Sequence, residues 1–219
     1  MLSKRERLKK MDIELQHYRQ RFDWDCGISC VLMLLNEADR QQFLDNFQEI
    51  CEYEKFGEST WTIDLCYLLN RYNVKHMFYT VTYGVRKAYK CNVFYKNVYI
   101  KDEVRVNRKF EEAPKQGITI KQDRVNLEDI LTHLASSNPI LILVNANSLR
   151  CVFCDKTEWL DSTYLGHYIV LCGFDCFQQL IHYRNPAKTN HVCSANFDCF
   201  EDSRTCFGTD EDVIFVYRK

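Results

Sequence analysis

Pro139 is followed by Ile140-Leu141-Ile142-Leu143-Val144, five apolar residues without a polar interruption. A strand with one wet face alternates polar and apolar positions, so this run predicts a fully buried strand. The rest of the chain must cover it. Helical patterns crowd the first third. Residues 26–37 read as a buried helix, Asp39 to Tyr53 as an amphipathic one, and Ser59-Thr60 to Tyr72 as a third. Strand patterns follow at 74–82, 118–120, 167–174, 179–183 and 213–217, with a helix opening at Asn126 and another near 197–206. Helices early and strands late predict an α+β domain, a helical half packed on an antiparallel sheet.

A chain of 219 residues with 46% hydrophobic and 14% aromatic content can fill one substantial core. The expected organisation is a basic N-terminal tail over 1–17 and a single domain over 18–219. Residues 84–117 are read as an insertion with a helix around 102–113, and 146–165 as a long loop. Charge is balanced, 29 Lys+Arg against 30 Asp+Glu, which argues against nucleic-acid and membrane partners. The basic start is not followed by the apolar stretch of a signal peptide. The expected location is the cytoplasm, with the nucleus as the alternative that the basic start allows. Oligomeric state is left open.

The candidate chemistry begins at Gln20-Arg21-Phe22-Asp23-Trp24-Asp25-Cys26-Gly27. Cys26 falls at the first turn of the first helix, where unpaired backbone N–H groups favour thiolate. Gln20, six residues upstream, is placed to donate its amide N–H to an oxyanion. A cysteine nucleophile needs a base, and His167, at the start of a strand after Gly166, is the candidate. A tight turn at Gly173–Gln178 would return Asn185 to the same sheet end, where it can orient the imidazole. The order Cys26, His167, Asn185 has the spacing expected of papain-type enzymes, and the predicted fold is a papain-like cysteine peptidase fold.

Of the twelve cysteines, Cys151 and Cys154 form a single CxxC. A structural zinc site needs four ligands. Cys172, Cys176, Cys193 and His191 would complete a set only if the fold gathers them. Without a second CxxC, free or loosely paired thiols are expected, with no metal and no cofactor.

The stretch Gln20 to Met33 resembles the bacteriocin-processing, double-glycine-leader cysteine peptidases, a branch of the papain-like fold. Their Gln, Asp-Cys-Gly, His and Asp/Asn-Pro pattern matches Gln20, Asp25-Cys26-Gly27, His167 and Asn185-Pro186. A second resemblance spans nearly the whole chain. Trp24-Asp25-Cys26-Gly27, Trp61-Thr62-Ile63-Asp64-Leu65, Gly166-His167-Tyr168-Ile169-Val170-Leu171 and Gly208-Thr209-Asp210-Glu211-Asp212 are similar to the eukaryotic guanylyl cyclase domain-containing family. That family's name implies conversion of GTP to cyclic GMP, with Mg²⁺ or Mn²⁺ as cofactor. Asp64, Asp210 and Asp212 are available acids, but no phosphate-cradling glycine loop or basic cluster accompanies them. Gly208–Asp212 reads as a turn before the last strand.

The reading placed first is a cysteine hydrolase acting on a peptide, isopeptide or related acyl bond, with a peptide or protein substrate. Cys26 attacks, His167 moves the proton, Asn185 orients His167, and Gln20 with the Cys26 backbone N–H binds the oxyanion. The alternatives are the cyclase and a non-catalytic peptide- or protein-binding adaptor that retains the fold.

Overall fold

The computed structural model describes residues 8–55, 59–86, 88–89, 94, 96–154 and 163–218. Parts of the expected insertion and of the 146–165 loop, together with Cys91, lie outside these residues. The architecture is α+β. Among the described residues eight strands form one sheet: β1 (Lys10–Asp12), β2 (His76–Thr80), β3 (Ile120–Gln122), β4 (Ile140–Asn145), β5 (Gly166–Asp175), β6 (Leu180–Arg184), β7 (Cys193–Asn196) and β8 (Val213–Val216). The helices are α1 (Cys26–Leu34), α2 (Glu37–Asp45), α3 (Phe47–Glu54), α4 (Thr62–Arg71), α5 (Lys96–Glu112), α6 (Leu127–Ala135) and α7 (Phe197–Thr205).

Sheet order is β3-β2-β8-β4-β5-β6-β7, with β1 added alongside β5. Every pairing is antiparallel except β2 with β3. The apolar run at 140–144 becomes β4, buried along its whole length between β8 and β5. Burying each such Leu or Ile stabilises the fold by about 1.5–3 kcal/mol.

Local signals set most boundaries. Asn126 caps α6, its Oδ1 accepting from the Asp129 N–H at 2.9 Å, and Glu128 and Asp129 occupy the first turn as the helix dipole favours. The single helix expected over 39–53 is two helices. Asn46 leaves helical geometry (φ −112°, ψ 22°), and its Nδ2 donates to the Gln42 carbonyl, closing α2 just before α3 begins.

The expected 1–17 tail is corrected by the structure. β1 pairs with β5, and Ile13 and Leu15 are buried in the core. Gly173 permits this, because a Cβ there would sit 2.3 Å from the Met11 carbonyl oxygen. Only a residue without a side chain lets the two backbones approach so closely.

α1 packs on β5 and α4. Gly27 makes this contact close: a Cβ would meet the Leu65 methyls and the Tyr168 ring at 2.9 Å. The helix therefore presents its N-terminal turn, with Cys26, to the start of β5. α4 is held from beneath by Asp64, which is fully buried. Asp64 accepts the Trp61 N–H at 2.9 Å and pairs with Arg105 and Lys109 of α5. The acid read from the sequence as available for a metal is thus committed to structure.

Candidate active site

The segment before Cys26 is shaped by Asp25. Its buried carboxylate accepts from the backbone N–H of Arg21 (3.1 Å) and of Phe22 (3.0 Å), folding residues 21–25 into a tight loop. That loop delivers Cys26 to the first turn of α1. The chain before it is tied to the other side of the site, since the Gln20 N–H donates to the Pro186 carbonyl at 3.0 Å.

The β5–β6 hairpin brings Asn185 back to the sheet end that carries His167. Val170 pairs with Arg184, and one residue further the Asn185 Oδ1 meets His167 Nε2 at 2.9 Å. The same oxygen accepts the Ala187 N–H at 2.9 Å. An oxygen held as acceptor by a backbone donor requires a proton on Nε2 of the imidazole. Nδ1 is left with its lone pair, the form a general base needs. Burial lowers the His167 pKa, and the Asn185 hydrogen bond opposes that shift.

Cys26 lines a cavity of about 380 Å³ together with Trp24, Trp61, Gly166, Tyr168, Asp210 and Asp212. The helix-end argument predicts a lowered thiol pKa, and the structure reverses it. Burial pushes the Cys26 thiol up to about 11, and the carboxylate of Asp25 adds to the rise. The backbone N–H groups of Tyr168 and Gly27 pull the other way without winning. Cys26 and His167 are linked through the strand: the sulfur faces the N–H of Tyr168, the next residue along. Among the described residues no hydrogen bond joins the sulfur to the imidazole. Gln20 donates its side-chain amide to the Phe22 carbonyl at 2.9 Å, while its buried Oε1 has no partner among the described residues. His167, Asn185 and Gln20 stand outside the residues that line the cavity.

Two acids that the sequence offered without a site role line the cavity wall. Asp210 and Asp212, in the turn read as a plain connection to β8, both face this space. Asp210 and Glu211 hold left-handed backbone (φ 48° and 51°), conformations that side chains other than glycine adopt at a cost. Asp212 accepts from Thr62 Oγ1, which also shares a 2.9 Å hydrogen bond with the Tyr168 hydroxyl; the Thr80 side chain also favours the charged carboxylate, and among the described residues Asp212 Oδ1 has no partner within hydrogen-bond distance. Burial and the neighbouring Asp210 push its carboxyl well above the usual range. The signal was three acids in five residues, Gly208-Thr209-Asp210-Glu211-Asp212. Only folding shows that two of them share a cavity with Cys26.

Similarity to known proteins agrees with this geometry on the fold and adds a family. A Bacillus anthracis structure described as a C39-like peptidase superposes with a TM-score of 0.52 over 96% of this chain and 98% of its own, at 13% identity. That likeness shows the papain-like peptidase fold. "Guanylyl cyclase 1" of Arabidopsis thaliana is 34% identical over 211 residues, spanning 93% of this chain and 76% of the relative. The profile described as "Guanylylate cyclase" matches residues 15–216. The chain belongs to that guanylylate cyclase family, whose members thus include one built on the papain-like fold.

Proposed function

We propose that the protein is a cysteine hydrolase acting on a peptide or related acyl bond. The observation that carries this reading is the His167–Asn185 contact at 2.9 Å, at the strand end that packs against the first turn of the Cys26 helix. The contact fixes the tautomer and leaves Nδ1 as base. With the thiol pKa near 11 and the imidazole pKa lowered, the resting pair is neutral. His167 therefore takes the thiol proton as the sulfur attacks, and returns it to the leaving group. The Cys26 backbone N–H, at a helix start, and the second Gln20 amide proton are the donors for the oxyanion. Asn185 holds the ring through both transfers.

Labelling purified protein with an acyl-mimicking thiol electrophile tests this. Wild type should label at Cys26 and the Cys26→Ala variant should not. Equal labelling of the two would sink the proposal, and no labelling of either would leave the binding adaptor as the better reading.

A second reading has one specific observation behind it. Asp210 and Asp212 line the same cavity, and an unpartnered carboxylate oxygen suits a divalent cation. A guanylyl cyclase would use Mg²⁺ or Mn²⁺ there. Among the described residues, however, the cavity wall has no lysine or arginine to hold a triphosphate. The hydrolase is therefore placed first. Cyclic GMP made from GTP by wild type and by Cys26→Ala equally, and lost in Asp212→Asn, would reverse that order.

A further inference from the structure

We propose that Cys151, Cys154, His191 and Cys193 bind one zinc ion as a structural Cys₃His centre. This inference does not depend on the reading of the Cys26 site. The sulfurs of Cys151, Cys154 and Cys193 all lie within 4.8 Å of one another. Cys154 and Cys193 are 3.9 Å apart, and His191 Nε2 approaches them to 2.9 and 3.4 Å. Zinc–ligand bonds of about 2.3 Å to sulfur and about 2.0 Å to nitrogen give tetrahedral edges of about 3.8 Å (S to S) and about 3.6 Å (S to N). Cys154, Cys193 and His191 already stand near those separations, and the Cys151 sulfur lies within 4.8 Å of the other two sulfurs.

The surroundings fit the same chemistry. His191 Nδ1 meets Thr189 Oγ1 at 3.1 Å. A proton held there leaves Nε2 as the free donor atom, the arrangement that orients a ligating histidine. The CxxC turn is pinned to β7, with the Val152 N–H donating to the Ser194 carbonyl at 2.8 Å. Cys151 and Cys193 are buried while Cys154 and His191 are half-buried, so two of the four ligands are shielded from solvent. Among the described residues no disulfide joins these cysteines, and one would use only two of the four groups. Three thiols and one imidazole of this softness favour zinc over oxygen-seeking cations.

Binding replaces three S–H protons with three Zn–S bonds and releases those protons to solvent. Three thiolates and a neutral imidazole leave the centre with one net negative charge. Its structural effect would be to clamp the loop that leaves β4 to the β6–β7 connection. That connection begins at Asn185, the partner of His167.

The test is metal analysis of the full chain purified without chelators. One equivalent of zinc is expected, with an X-ray absorption spectrum of three sulfurs and one nitrogen. Cys154→Ser and Cys193→Ser should each lose the metal or bind it far more weakly. Cys172→Ser, a buried cysteine outside the cluster, should retain it. Should the cluster variants not fold, the wild-type stoichiometry and ligand set still decide. A metal-free folded protein with reactive thiols at 151, 154 and 193 would overturn the proposal. So would a Cys151–Cys154 disulfide, or zinc retained by both cluster variants.

Discussion

His167 Nε2 and Asn185 Oδ1 lie 2.9 Å apart, and the Ala187 N–H holds the same oxygen. A backbone donor thereby dictates which ring nitrogen carries the proton. Replacing Asn185 with Ala frees the ring to rotate and to change tautomer. The rate at which an acyl-mimicking electrophile modifies Cys26 should fall about 10²-fold, the usual scale for a misplaced catalytic group. Asn185→Asp should recover part of the loss and shift the acid limb of the pH profile upward, because a carboxylate stabilises the imidazolium. An unchanged rate in Asn185→Ala would show that the contact serves stability alone.

A small, non-acylating reagent should report the resting state of the thiol. Burial holds Cys26 near pKa 11. Iodoacetamide modification should therefore climb about tenfold per pH unit through the neutral range, without a plateau below the thiol pKa. Mass spectrometry of the Cys26 peptide follows this directly. A plateau already present at pH 6 would mean a resting thiolate–imidazolium pair and would contradict the neutral one.

Acid should destabilise the fold through its buried imidazoles before carboxylates of ordinary pKa titrate. Burial lowers the pKa of His76, His133, His167 and His182 below the unfolded value near 6.5. Below that value the unfolded chain takes up protons that the native state resists, so stability rises with pH through this window and is lost as pH falls below it. Thermal melts at pH 7.5, 6.5 and 5.5 should give steadily lower Tm. A flat profile would mean these rings protonate freely in the folded state.

Asp212 works in the opposite direction. Its folded pKa lies well above 3.8 through burial and the nearby Asp210, so its native form is disfavoured as pH rises past the unfolded value. Asn keeps an acceptor for Thr62 and removes the charge. Asp212→Asn should stabilise the protein at neutral pH by about 1 kcal/mol or more, a Tm gain of about 2–4 °C for a domain of this size. Because Asp212 lines the same cavity as Cys26, the same variant should also slow electrophile labelling of Cys26. A lower Tm would show that the carboxylate has a partner it depends on.

The long elements were legible because each carries its own period. The Ile140–Val144 run is the buried strand β4, and Asn126 with its two acids opens α6. The pairing of His167 with Asn185 was also within reach, since a single tight hairpin separates them. β1 and β7 were not, because three or four residues are too few to show alternation. Lys10–Asp12 becomes a strand only because β5 offers it an edge and Gly173 offers it room.

Tertiary structure alone decided the rest. The thiol pKa of Cys26 is set by how much protein surrounds the sulfur, and desolvation there outweighs the helix end that the sequence could show. Asp210 and Asp212 share a cavity with Cys26, although positions 26 and 210 are 184 residues apart in the sequence. His191 and Cys193 reach the CxxC from a different strand connection. Local order in the sequence specifies helices and strands because neighbouring residues settle those energies. Charge states and ligand sets depend on groups distant in sequence, and they exist only after the chain has closed on itself.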